Sequence, residues 1–330
     1  NKIYQINESV FGIPPSLICQ QSIVMLRNKY PIYIVSKGRW ESRLTSKALH
    51  KMGVPHFIVI EEQEEPQYRA VIDGSATLLI LNSTFQSDYE TCDDLGDSKS
   101  KGPGPARNFV WDHAIGSGAA WHWVMDDNIN RFYRLNRNIK HWAADGTIFR
   151  CMEDFVGRYI NVSMAGPQYE CFVPRRQKHR PFSMNTRIYS CNLIRNDMPL
   201  RWRGRYNEDT DLSLRMLKDG WCTVLFNAFL QDKQTTQKMA GGNTNEFYEH
   251  EGTMPKSRMQ VALHPDVSKL IRRYGRWHHQ VDYKGFRQRL LRQKGLEIPD
   301  GVNEYGMVHQ RKIDGMWTMD AVLEPQWVTG

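Results

Sequence analysis

Short apolar runs that end in polar residues and lead into helix-like stretches set the tightest limit on the fold. Pro31-Ile32-Tyr33-Ile34-Val35 ends in Ser36-Lys37-Gly38-Arg39, and a helical pattern over residues 44–52 follows, stopped by Gly53. His56-Phe57-Ile58-Val59-Ile60 and Ala76-Thr77-Leu78-Leu79-Ile80-Leu81 repeat the theme. Strands alternating with helices predict an α/β protein built on a mostly parallel, doubly wound sheet with flanking helices. In such sheets ligands gather at the C-terminal ends of the strands. A fourth run, Trp121-His122-Trp123-Val124-Met125, delivers Asp126, Asp127 and Asn128 to that end. The same residues also suit a plain Asp/Asn-rich turn.

The loop after the first strand offers a hydroxyl, a glycine and two cations, Ser36, Lys37, Gly38 and Arg39, which suit a nucleotide and its phosphates. It is neither a Walker loop nor a G-x-G-x-x-G turn; a solvated basic turn is the local alternative. Residues 89–104 turn acidic and then Gly/Pro-rich, as a surface loop does. A helix is predicted from Pro105, with Val110, Trp111, Ala114 and Ile115 at helical spacing. Arg107 in its first turn opposes the macrodipole, which hints at an anion to be met.

Further on, residues 130–139 are polar and basic, 147–159 predict a helix, 162–173 a strand pair and 188–194 a strand. Arg175, Arg176 and Arg180 sit in a basic stretch that is either a solvated loop or a polyanion contact. The second informative tract is Arg201-Trp202-Arg203-Gly204-Arg205-Tyr206-Asn207-Glu208-Asp209-Thr210-Asp211, followed by an amphipathic helix with a Gly220 stop. Acids favour a helix start on electrostatic grounds, but three in four residues behind an arginine tract exceed what a cap needs. A strand at 221–226 leads to Gln231-Asp232-Lys233, and Gly241 and Gly242 sit in a loop able to approach phosphates. Arg272, Arg273, Arg276, Trp277, His278 and His279 mix cations with aromatic rings, which suits phosphate contact with base stacking, or else a solvated helical face.

The net charge of +8 biases the partner toward a polyanion. No apolar run approaches the roughly 18 residues of a membrane span, and no charged-then-apolar leader opens the chain. Six cysteines without C-x-x-C spacing are expected to be reduced thiols of an intracellular protein.

The run Gly104-Pro105-Ala106-Arg107-Asn108, continuing to Val124-Met125-Asp126-Asp127-Asn128, resembles the segment of GT-A glycosyltransferases that ends in the metal-binding D-x-D. Asn207-Glu208-Asp209-Thr210-Asp211-Leu212-Ser213-Leu214-Arg215 is similar to their E-D-x-x-L-x-x-R segment. With the Ser36-Lys37-Gly38-Arg39 loop and the 238–243 loop, the chain resembles, over residues 31–250, the TET/JBP-associated glycosyltransferases of phages and kinetoplastids. The resemblance implies a GT-A domain at 31–250, after an N-terminal helical lead-in at 1–30 and before a basic C-terminal extension at 251–330. It implies a UDP-sugar donor held by Ser36, Lys37, Arg39, Arg107, Asp126, Asp127, Gly241 and Gly242. A divalent cation, Mn2+ or Mg2+, is implied on Asp126, Asp127 and Asn128, with Asp232 completing the set. Asn128 stands where an Asp is usual, which leaves open which of the three would bind metal directly. Asp209 is the expected general base and Glu208 its reserve. The implied acceptor is a 5-hydroxymethylpyrimidine in DNA, met by Arg175, Arg176, Arg203, Arg205, Arg273 and Arg276, in a host cytoplasm or a nucleus. A polysaccharide or protein acceptor, or a non-catalytic DNA-binding relative, are the rival readings.

Overall fold

Four strands whose apolar runs are unbroken stack side by side in parallel: β1 (Ile32–Val35), β2 (His56–Ile60), β3 (Ala76–Ile80) and β4 (Trp121–Asp126). The computed structural model describes residues 28–96, 100–136, 138–177, 179–234, 254–273 and 275–296, and the backbone of two short strands, Arg311–Ile313 and Met316–Thr318. Helices cover both faces, so β1 and β4 are buried on both sides, and this is why their sequences show no alternation. Each fully buried large aliphatic side chain here stabilises the fold by roughly 1.5–3 kcal/mol.

The described chain continues the sheet to ten strands in the order β3-β2-β1-β4-β9-β7-β10-β5-β6, with β8 off β10. The added strands are β5 (Ile129–Asn136), β6 (Ile139–Trp142), β7 (Val162–Tyr169), β8 (Phe182–Met184), β9 (Cys191–Arg195) and β10 (Cys222–Lys233). The Rossmann-like α/β expectation holds, and the parallel part lies on the β3 to β4 side. Beyond it the sheet is mixed, because β9 runs antiparallel to both β4 and β7, and β5 antiparallel to β10. The basic stretch at 130–139 is a hairpin, β5 with β6, in which Asn138 takes φ +64° at the turn. Residues 162–173 form one strand and a short 3-10 turn rather than two strands. At Gly166 a Cβ would lie 2.2 Å from the Cys191 carbonyl oxygen, so only glycine lets these two strands approach this closely.

Helices α1 (Leu44–Lys51), α2 (Glu65–Arg69) and α3 (Thr84–Ser87) follow the first three strands, and α4 (Gly104–Gly116) precedes β4. The long helices after them are α5 (Thr147–Val156), α6 (Glu208–Lys218) and α7 (Met254–Leu263). Residues 268–281 form a basic hairpin, β11 (Ser268–Arg273) with β12 (Arg276–Val281), where the sequence also allowed a helix. The residues on either side of this hairpin are tied to the sheet domain: His264 Nε2 lies 2.9 Å from Asp211 Oδ1, and Asn185 donates to the carbonyls of Phe286 and Gln288. Cys92, Cys171, Cys191 and Cys222 are free thiols. Among the described residues no helix is long and apolar enough to cross a membrane.

Candidate functional site

Register builds the first half of the site. Val35 pairs with Asp126 across β1 and β4, so the next residues, Ser36 and Asp127, meet just beyond the strand ends. Ser36 Oγ donates to Asp127 Oδ2 at 2.7 Å, and the Arg39 guanidinium pairs with Asp127 Oδ1. The start of α1 pins the turn: Thr45 Oγ1 donates to the Asp126 carbonyl at 2.6 Å and accepts from Ile129 N at 2.9 Å. Asp127 and Arg39 are both buried. Burial pushes the Asp127 carboxyl up, against the pull of Arg39 and Ser36.

Asp126 is held differently. Arg107 Nη2 donates to its Oδ1 at 2.7 Å, and Lys233 Nζ donates to its Oδ2. Burial opposes its charge, yet Lys233 and Arg107 together hold the carboxyl well below the usual range. Arg107 also reaches Glu208 Oε1 at 3.1 Å, and its guanidinium lies 4.6 Å from the Trp202 ring centroid. The cation that looked misplaced in the first turn of its helix thus joins the two acidic tracts.

Helix α6 sorts its three acids into three tasks. Asp211 is fully buried and accepts from Arg203, Arg215 and His264, which anchors the C-terminal segment. Glu208 faces Arg107. Asp209 Oδ1 accepts from Thr210 N at 2.7 Å, which fixes the carboxylate, and the residue lines the cavity. Burial pushes Glu208 up to about 7, with Arg107 pulling down and Asp209 adding to the rise. A carboxyl raised above its ordinary value of 4.5 holds a proton in the folded state that the unfolded chain releases. Its stabilising contribution is full below pH 4.5 and is lost as pH rises through about 7. Urea unfolding across this window is expected to show a loss on the order of 3 kcal/mol that Glu208→Gln removes. An unchanged slope in the variant would assign the proton elsewhere.

These residues surround a cavity of about 870 Å3. It brings together Ser36, Lys37, Arg39, Arg107, Asp126, Asp127, Asn128, Glu208 and Asp209 from across the sequence. Lys37 pairs with Glu61 at 3.3 Å near the surface, a weak contact that a phosphate can compete for. Asp232 is not in the lining. It faces Asn130 at 3.5 Å, on the opposite side of β10 from Lys233. The register with β5 shifts at this point, Asp232 opposing Arg131 and Lys233 opposing Ile129, so Asn130 is the extra residue of a bulge on β5, and Lys233 faces the cavity. Sequence reasoning also passed over Ser190, Tyr169 and Arg187, which line the cavity. Ser190 adopts φ +65°, an uncommon conformation for serine that turns its hydroxyl toward Lys233 at 2.8 Å and Tyr169 at 2.6 Å.

The expected acceptor arginines separate into two groups. Arg175, Arg176, Arg273 and Arg276 are exposed, the last two directly opposite each other across β11 and β12. Arg205 touches the cavity wall, but its side chain is buried. It bonds Asp93 and the carbonyls of Gly96 and Ser100, so it braces the 93–100 loop instead of offering its charge to an acceptor. Arg203 is likewise engaged by Asp211 and lies within 3.7 Å of Glu90. Gly241 and Gly242, with the rest of the 238–243 loop and the lead-in before residue 28, lie outside the described residues.

The donor set does not suit a divalent cation as it stands. Mg2+ and Mn2+ need several oxygens not already committed. Both Asp126 oxygens face cations, and both Asp127 oxygens are bonded by Arg39 and Ser36. Asn128 keeps one buried amide oxygen without a hydrogen-bond partner, its NH2 group bonding the Gln234 carbonyl at 3.0 Å. One neutral oxygen is not a metal site. Among the described residues no three His, Cys, Asp or Glu side chains cluster to hold a metal.

A search of curated proteins finds no match to the chain. A family model does match, that of the TET-Associated Glycosyltransferase family, over residues 30–242. That span contains the β1 loop, the Asp126 turn, Arg107, the start of α6 and Lys233, which are the parts that meet in the cavity. The chain belongs to the TET-associated glycosyltransferases and is a glycosyltransferase.

Proposed function

We propose that the protein transfers a sugar from a UDP-sugar to the hydroxyl of a 5-hydroxymethylpyrimidine in DNA, with inversion at the anomeric carbon. One observation carries this reading: the Asp209 carboxylate, which no ion pair among the described residues engages, stands on the wall of a cavity whose strand-end side presents Ser36 and Lys37. A volume of about 870 Å3 accommodates a nucleoside diphosphate-sugar. The acceptor oxygen attacks the anomeric carbon, its proton passes to Asp209, and the bond to the diphosphate breaks with its electron pair leaving on the diphosphate oxygen. A primary alcohol does not ionise near neutral pH, so a positioned carboxylate is what the attack requires. A single displacement inverts the carbon.

For the acceptor, Tyr169 lines the cavity in contact with the Tyr189 ring at 4.3 Å, and the Arg187 guanidinium lies 4.7 Å from the Tyr189 ring centroid. Aromatic and guanidinium faces suit stacking of a base turned out of the duplex. Arg273 and Arg276 stand exposed and directly opposite each other across the hairpin, a placement that suits contact with the phosphate backbone.

The test is transfer of labelled sugar to hydroxymethylated DNA, compared with unmodified DNA and with oligosaccharide acceptors. Four phosphate contacts, from Arg175, Arg176, Arg273 and Arg276, predict a slope of log affinity against log salt of about −3 to −4. Replacing Arg273 and Arg276 with Glu should flatten it by about 2. Equal transfer to sugar acceptors with no salt slope would sink the DNA reading.

A further inference from the structure

We infer that the ε-ammonium of Lys233 does on the leaving diphosphate what a divalent cation would otherwise do. The inference rests on the nucleotide-sugar reading above. Lys233 is on the cavity wall with its side chain only 15% exposed. Two of its three N–H donors are committed, one to Asp126 Oδ2 and one to Ser190 Oγ at 2.8 Å. A lysine ammonium has three donors and no acceptor, so among the described residues the third N–H is left for an anion in the cavity.

Three features single out this lysine. Strand alternation turns it to the cavity side of β10, away from Asp232, and the bulge that skips Asn130 on β5 sets it opposite Ile129. Ser190 holds a φ of +65° while accepting its hydrogen bond. Asp126, at the start of the motif expected to bind metal, gives its second oxygen to Lys233. A divalent ion placed there would have to displace a buried ammonium from its carboxylate. With the ammonium in place, the site already presents a fixed positive charge where negative charge develops. During transfer the bond from the anomeric carbon to the diphosphate breaks, and its electron pair goes to the diphosphate oxygen. Lys233 keeps its proton and donates the third hydrogen bond to the diphosphate. The acceptor's proton goes to Asp209.

The experiment is calorimetric titration of the full chain with UDP, GDP and ADP, in EDTA and again in Mn2+ or Mg2+. The expected result is that one of the three binds with an affinity that changes by less than about threefold between the two conditions. Lys233→Met should weaken that binding at least about tenfold in both, since a charge-assisted bond to phosphate is lost. Lys233→Arg should recover part of it. Binding seen only with metal overturns the inference, as does binding unchanged in Lys233→Met. The wild-type comparison stands even where a variant fails to fold. If no nucleoside diphosphate binds under any condition, the donor reading itself falls, and the inference falls with it.

Discussion

Asp209→Asn is expected to reduce sugar transfer by about 10^2- to 10^4-fold, the range a positioned general base contributes, while nucleotide binding stays within about threefold of wild type. The substitution is nearly isosteric. An Asn side-chain oxygen can still accept from Thr210 N, so the start of α6 keeps its local geometry. What is lost is the capacity to take a proton. The neighbouring acid is already engaged, because Glu208 is paired with Arg107 at 3.1 Å. Steady-state rates with the favoured nucleotide-sugar, alongside calorimetric binding of the diphosphate, separate the two effects. Turnover within tenfold of wild type would remove Asp209 as the base. A matching loss of donor binding would make it a donor-positioning residue instead.

How far the sequence reveals this site depends on which physical signal each part carries. The ends of β1 and β4 are legible because an unbroken apolar run marks a strand buried on both faces, and the polar residues after it mark the end where ligands bind. Arg107 is legible as an anomaly, a cation against a helix dipole; what it meets is two of the protein's own acids, Asp126 and Glu208, a pairing that no local pattern specifies. The three acids of α6 look equivalent in sequence, and only tertiary partners separate the buried anchor Asp211 from Asp209 on the cavity wall. Asp232 and Lys233 show the same limit within two residues. Strand β10 is buried on both faces along most of its length, so its burial pattern does not reveal which side each residue takes. Ser190 depends on a backbone angle that its residue type gives no reason to expect. The arginines divide for a similar reason: Arg205 and Arg273 read alike as basic, but one is buried against Asp93 and the other is exposed on a hairpin.

Arg107→Met is expected to cost about 3–5 kcal/mol of stability, the usual penalty for removing one partner of a buried ionic network. Met fills much of the volume of the arginine stem and keeps contact with Trp202, so the loss reports charge more than packing. Asp126 keeps Lys233 as a partner, which limits the damage on the β4 side. Glu208 has only 13% of its side chain exposed and loses the cation that pulls its carboxyl down, so it takes up a proton at neutral pH. Glu208→Gln in the same background removes that acid altogether. The double variant should therefore be more stable than the sum of the single losses predicts, by about 1–3 kcal/mol, the coupling expected of directly interacting groups. Urea unfolding of the four proteins at pH 7 measures it. Additive losses would mean that Arg107 and Glu208 act independently and that the two acidic tracts are joined by something else. A coupling of the expected size, with activity lost in every variant lacking either group, would make this ion pair the link that holds the proton-accepting helix in register with the strand end where the leaving group sits.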